Sequence, residues 1–189
     1  MPVGARWTYS ELDADGTELR VVVEVLDETR DIAGITATVV HDQVTEDGEL
    51  VEDTFDWYAQ DAQGNLWYLG EDTREFEGGE VVSTAGSWEH GVDGALAGII
   101  LPATPAVGQA YRQEFYAGEA EDNGEILSIS ERVGVEVGEF ADVVMTKDTT
   151  PLEPDVVEYK WYAPGIGVVL VIGVSPDFSR EELIEVDGL

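Results

Sequence analysis

Apolar and polar residues alternate along most of this chain with a period of two, the spacing of strands that bury one face. Leu19, Val21, Val23 and Val25 fall on one face of a first long strand. Arg20, Glu24 and Glu28 fall on the other, with Val22 and Leu26 among them. Ile35, Ala37 and Val39 alternate with Thr36 and Thr38. Phe55, Trp57 and Ala59 alternate with Asp56, Tyr58 and Gln60, and Leu66 and Tyr68 alternate with Trp67 and Leu69. In the second half the same pattern predicts strands over 111–116, 125–133, 142–148, 156–163, 168–174 and 181–186. Helical spacing is almost absent.

The links between these runs are short and carry residues that tolerate a left-handed backbone. Asp13-Ala14-Asp15-Gly16, Glu46-Asp47-Gly48, Asp61-Ala62-Gln63-Gly64-Asn65, Glu77-Gly78-Gly79 and Asp122-Asn123-Gly124 all read as hairpin turns. Gly165-Ile166-Gly167 reads as another turn. Links this short join only antiparallel neighbours, because a parallel crossover needs a dozen residues or more. About ten strands in series twist too strongly to stay flat. The expectation is therefore all-β: a single, strongly curved antiparallel meander, a half-barrel or barrel. The segment 84–107, rich in Gly, Ala and Pro, is expected to be irregular or to hold a short helix. No linker divides the chain, so residues 1–189 are read as one β domain.

Composition narrows the partners. The chain has 41 Asp plus Glu against 9 Lys plus Arg, a net charge of -32. Such a polyanion repels phosphate backbones, which argues against nucleic acid as a partner. No apolar run is long enough for a transmembrane segment. With no cysteine, disulfides and thiolate chemistry are excluded. The acidity itself fits three roles: tolerance of high salt, binding of calcium, or solubility.

Several groupings could carry chemistry. Ser87, His90 and Asp93 contain the residue types of a triad, but they lie too close in sequence to converge from separate elements. The carboxylates Glu71, Asp72, Glu89, Asp93, Glu121 and Asp122 sit at strand ends and loops, where calcium could collect oxygens from several of them. Glu114 and Glu119 belong to the same acidic set, and no EF-hand spacing is present. Arg112 and Glu114 share a face by period two, as do Glu158, Lys160 and Tyr162. On a solvated sheet face, such pairs contribute about 0–1 kcal/mol. Inside a concave hollow, Arg112, Glu114, Lys160 and Tyr58 would bind a polar ligand or perform acid–base work. Adjacent aromatics at 57/58, 67/68 and 161/162 must point to opposite faces. One of each pair would therefore line a groove suited to a planar, lipid or sugar ligand. The predicted ligand set is Tyr58, Trp67, Trp88, Arg112, Glu114, Lys160 and Tyr162. No phosphate-binding loop, dinucleotide fingerprint or HExxH zinc motif occurs.

The blocks Asp56-Trp57-Tyr58-Ala59-Gln60-Asp61 and Gly64-Asn65-Leu66-Trp67-Tyr68-Leu69-Gly70-Glu71-Asp72-Thr73 resemble a family of uncharacterised bacterial secreted proteins and lipoproteins. So do Gly86-Ser87-Trp88-Glu89, Gly91-Val92-Asp93-Gly94-Ala95, Tyr111-Arg112-Gln113-Glu114, Gly118-Glu119-Ala120-Glu121-Asp122 and Tyr162-Ala163-Pro164-Gly165-Ile166-Gly167. The architecture is similar to curved half-barrels of the LolA type. The resemblance implies an extracellular, periplasmic or cell-envelope protein made with a leader, which the opening Met1-Pro2-Val3-Gly4-Ala5-Arg6 does not contain. It carries no established activity.

Two functions follow as expectations. The first is a non-catalytic exported β-protein holding a small hydrophobic or amphipathic ligand, or an envelope component, with calcium bracing its loops. The second is a small β-barrel enzyme, a cyclase, isomerase or hydrolase, working through carboxylates and Tyr. Asp56 or Glu114 buried beside a cavity with a raised pKa would favour the enzyme.

Overall fold

A computed structural model describes residues 1–189. The N-terminal half is a meander of β1 (Arg6–Leu12), β2 (Glu18–Ile32), β3 (Ile35–Glu46), β4 (Glu49–Gln60) and β5 (Leu66–Glu77). Short strands follow: β6 (Glu80–Ser83), β7 (Trp88–Glu89), β8 (Leu96–Leu101), β9 (Ala110–Arg112) and β10 (Glu114–Phe115). A second meander closes the chain: β11 (Asn123–Val135), β12 (Gly138–Thr149), β13 (Val157–Ala163), β14 (Gly167–Ser175) and β15 (Ser179–Asp187). All 15 strands form one antiparallel sheet, in the order β10-β8-β5-β4-β3-β2-β1-β15-β14-β13-β12-β11-β9, with β6 and β7 also on β5.

The turns explain the meander locally. Between β3 and β4, Asp47 (φ 50°) and Gly48 (φ 86°) are both left-handed, the combination that matches the twist of a two-residue hairpin. Between β1 and β2, the Asp13 carboxylate accepts hydrogen bonds from the backbone N–H groups of Asp15 (2.9 Å) and Thr17 (2.8 Å). The two meanders are then sewn together by β1 and β15, which pair from Arg6↔Asp187 to Leu12↔Arg180.

Hydrogen bonding does not close the sheet. β9 and β10 stand at its opposite ends, yet Gln113 alone separates them in the chain. Their facing Cα atoms, Arg112 and Glu114, can thus be no more than about 7 Å apart. The backbone itself straps the two edges together. Gln113 is buried, its N–H donates to the Asp122 carbonyl (2.8 Å), and its side-chain amide donates to Asp148 (3.1 Å). Gly98 on β8 makes this approach possible: a Cβ there would lie 2.4 Å from backbone atoms of Arg112 and Gln113.

The largest apolar cluster joins β1, β2, β14 and β15 through Trp7, Tyr9, Val21, Val25, Val169 and Leu183. Trp7 and Tyr9 anchor it by donating to the carbonyls of Ile166 (2.8 Å) and Val168 (3.1 Å). A second cluster, with Ile32, Val39, Trp57 and Leu69, covers the outer face of the N-terminal strands. A third surrounds Tyr68 and Trp88.

Particular expectations change here. The strand count is 15, because several are too short for alternation to reveal. Segment 84–107 holds β7 and β8 joined by turns, with no helix. The run 111–116 splits at Gln113 into strands on opposite edges. Asn123-Gly124 begins β11 instead of forming a turn, with Asn123 opposite Thr149 and Gly124 opposite Asp148.

Candidate functional site

The site grows out of the register between β4 and β5. Thr54, Asp56 and Tyr58 lie opposite Thr73, Glu71 and Tyr68, across a bulge that places Trp57 beside Gly70. Thr54 donates to Thr73 at 2.6 Å, and the Tyr68 hydroxyl donates to Asp56 at 2.5 Å. Tyr58 stacks on Tyr68 with centroids 5.0 Å apart, and Tyr68 meets Trp88 edge-on at 5.5 Å. The Trp88 indole N–H then donates to Glu114 at 2.7 Å.

Burial dominates the electrostatics of this wall. It pushes Asp56 up to about 6 despite the opposing Tyr68 bond. It raises Glu71 to about 9, with Asp56 and Glu114 adding like-charge repulsion. Glu114 rises to about 7, helped by Asp122. Asp42 reaches about 8 through burial and the charges of Asp56, Glu181 and Glu52, and its Oδ1 has no hydrogen-bond partner. Glu181 reaches about 7 from burial and Glu11. Several of these carboxyls carry protons at neutral pH, which is how so acidic an interior stays packed.

Lys160 on β13 is the cation of the opposite wall. It lies 3.2 Å from Asp148 and 3.6 Å from Glu158. Asp148, buried at 5% exposure, also accepts from Gln113 and from Thr146 (2.8 Å). Burial pulls the ammonium pKa down, but Asp148, Tyr162 and Glu158 outweigh it, and the pKa ends above its ordinary value. Lys160→Met leaves a buried carboxylate with neutral donors only and should cost about 3 kcal/mol in urea denaturation. An unchanged midpoint would show that Gln113 and Thr146 suffice.

Two cavities open around this framework. The first, about 590 Å³, is the mouth of the hollow. Tyr58 on β4 and Tyr162 on β13 line it together, although many strands separate them in the sheet, so the wall bends back on itself. Leu101, Pro102, Ala103 and Pro105 form its rim on one side, with Pro164 and Ile166 on the other. The second cavity, about 550 Å³, lies on the opposite face, where Trp67 and Leu69 alternate with Tyr68. Ile35, Leu96 and Ala97 complete its apolar wall, and His90 and Arg112 also line it.

The predicted ligand residues are thus distributed among three places. Tyr58 and Tyr162 line the mouth, Trp67 and Arg112 the outer cavity, and Trp88, Glu114 and Lys160 the packed interior. Arg112 and Glu114 do not share a strand face, because the strap carries them to different edges.

The carboxylates proposed for calcium are not brought together. Glu71 faces Asp56, while Asp72 pairs with Arg74 at 2.9 Å and Glu89 pairs with Arg30. Asp93 sits in an exposed turn, Glu121 accepts from the Gly118 N–H at 2.9 Å, and Asp122 is partly buried. Nowhere do three Asp, Glu or His side chains converge as metal ligands. Nor do Ser87, His90 and Asp93 form a triad: Ser87 bonds the backbone of Thr73, and His90 Nδ1 accepts from the Ala97 N–H at 3.0 Å.

Reading acids as solvent-facing missed Asp42, Asp148 and Glu181. Their signal was parity: Asp42 has the spacing of Val40, Asp148 that of Thr146 and Glu181 that of Leu183.

Against known proteins, the architecture finds a match. A crystal structure from Bacteroides fragilis NCTC 9343, of a protein described as exported and having a YmcC-like fold, aligns with a TM-score of 0.57. Identity is 16%, over 98% of this chain and 96% of that one. The two chains share a fold. A protein from Parabacteroides distasonis ATCC 8503, described as a lipoprotein, aligns with a TM-score of 0.49 at 13% identity, over 98% of this chain and 95% of that one. No protein-family profile matches the chain, and no curated protein does.

Proposed function

We propose that this is a non-catalytic exported protein that holds a small hydrophobic or amphipathic molecule, or part of an envelope component, in the mouth cavity. One observation carries the reading. Charged residues make up 26% of the chain, yet none of the 18 residues lining the mouth has a charged side chain. Its volume and mostly apolar lining, to which the aromatic residues Tyr58 and Tyr162 belong, suit a small ligand. Export draws support from the description of the Bacteroides protein that shares the fold.

The raised pKa values of Asp56 and Glu114 favour the enzyme reading. Neither residue lines either cavity, and each carboxyl is already held, by Tyr68 and Trp88 respectively. A general base must reach its substrate, so the binding role is the better supported.

The test is calorimetric titration with 1-decanol, a neutral amphiphile. Ala103 is an exposed residue on the rim, so Ala103→Trp should fill the mouth without disturbing the fold. Binding at least tenfold weaker than in the parent is expected. Equal binding by both proteins, or none by the parent, would end the proposal.

A further inference from the structure

The outer cavity differs from the mouth in its polar groups. Its floor is apolar, built from Trp67, Leu69 and Ala97, but donors stand on its wall. His90 Nδ1 accepts the Ala97 N–H, so a neutral ring carries its proton on Nε2. That leaves Nε2–H as the free donor of a ring lining the cavity.

Arg112 is more telling. In a chain with 41 acids, Arg30, Arg74, Arg180 and Lys160 all form close ion pairs. Arg6, Arg112, Arg132 and Lys147 form none, and of these only Arg112 lines either cavity; its guanidinium rests 4.8 Å from the centroid of Phe115. The strap places it there, at the edge of a cavity on the face away from Glu114.

The neighbouring acids are already engaged. Asp61, the one carboxylate lining the cavity, accepts from the backbone N–H groups of Gln63 and Asn65, the Asn65 amide and the Trp67 indole N–H. These bonds hold its pKa down at about 2. Glu89 is occupied by Arg30. At ordinary ionic strength the Debye length is about 8 Å, so the remote negative charge is screened. Of the two charges on the cavity wall, ionised Asp61 is held by its own donors, while Arg112 has no acidic partner.

We propose that the outer cavity is a second ligand site, selective for an amphipathic anion. The apolar body would lie on Trp67, Leu69 and Ala97, and the anionic head would take the Arg112 guanidinium and the His90 Nε2–H. A carboxylate suits Arg112 best, since its planar fork can donate two parallel bonds. The two cavities share Ala59 and Gln60 in their walls, but Trp67, Leu69, His90, Ala97 and Arg112 line the outer one alone, so the proposal does not depend on the reading given for the mouth.

The test compares decanoate, 1-decanol and decylammonium at 0.15 M salt (a Debye length of about 8 Å), by calorimetry and Trp67-sensitive fluorescence quenching. Decanoate should bind the parent and Ala103→Trp equally, and bind Arg112→Gln about tenfold more weakly. Arg112 is exposed, so the substitution should leave the fold intact. A second variant, Leu96→Glu, sets an acid on the exposed rim and should abolish decanoate binding while sparing decylammonium. Decanoate binding that survives Arg112→Gln, or that disappears with Ala103→Trp, would overturn the proposal. So would decylammonium binding as tightly as decanoate to the parent. Failure of 1-decanol to bind would count against the mouth alone.

Discussion

Gly98→Ala should destabilise the protein by about 3 kcal/mol or more, because the new methyl group would strike main-chain atoms of the strap at 2.4 Å. Gly98 has no left-handed φ, so the cost is steric and not conformational. Gly134 on β11 provides the control. A Cβ there would lie 2.5 Å from the Glu139 carboxylate, the mobile end of a side chain that can swing away. Gly134→Ala should therefore change stability by no more than about 0.5 kcal/mol. Urea unfolding of both variants gives the comparison. Equal, small effects would mean that the strap is loosely seated and that the sheet edges do not depend on it.

Raising the pH from 5 to 9 should steadily weaken the fold. Glu71, Asp42, Glu114, Glu181 and Asp56 have folded pKa values of about 9, 8, 7, 7 and 6, all above the ordinary 4.5 or 3.8. Over that range the folded state binds more protons than the unfolded chain. Stability from these groups is complete below the ordinary carboxylate values and is lost as pH climbs through the raised ones. Each group losing its proton contributes up to about 1.4 kcal/mol per pH unit within its own window. Exposed carboxylates have finished titrating by about pH 6, so the fall above that point reports on the interior. Glu71→Gln should flatten the upper part of the profile and stabilise the protein at pH 9, since the amide needs no proton to stay neutral. A stability that is flat or rising from pH 6 to 9 would refute this account.

The legible part of the fold was the part governed by near neighbours. Alternation located the long strands, and turns such as Asp47-Gly48 declared their own geometry. The antiparallel meander followed. The strap did not, because 111–116 alternates as any single strand would; which edge each residue joins depends on distant partners. Asn123-Gly124 has the composition of a turn, but three rungs with β9 and a long ladder with β12 hold it extended.

The site was legible only in fragments. Opposed aromatics were correctly expected: Trp57 packs in the outer cluster, while Tyr58 faces the mouth. Acids beside apolar residues looked like a solvated face, since on an ordinary sheet one side is wet. Here the wall curls, and both sides are covered along β4 and β5. The bulge opposite Gly70 also shifts register between Asp56 and Tyr58, which period-two counting does not register.

The seam between β1 and β15 has a consequence for biosynthesis. A ribosome delivers β15 after every other strand of the sheet, so the middle of the sheet is the last part able to form. Until then β1 offers an unpaired edge to any other extended segment nearby, and closing so long a loop makes the final step slow. Holding the nascent chain apart from its siblings during that wait would matter more for yield than the stability of the finished molecule.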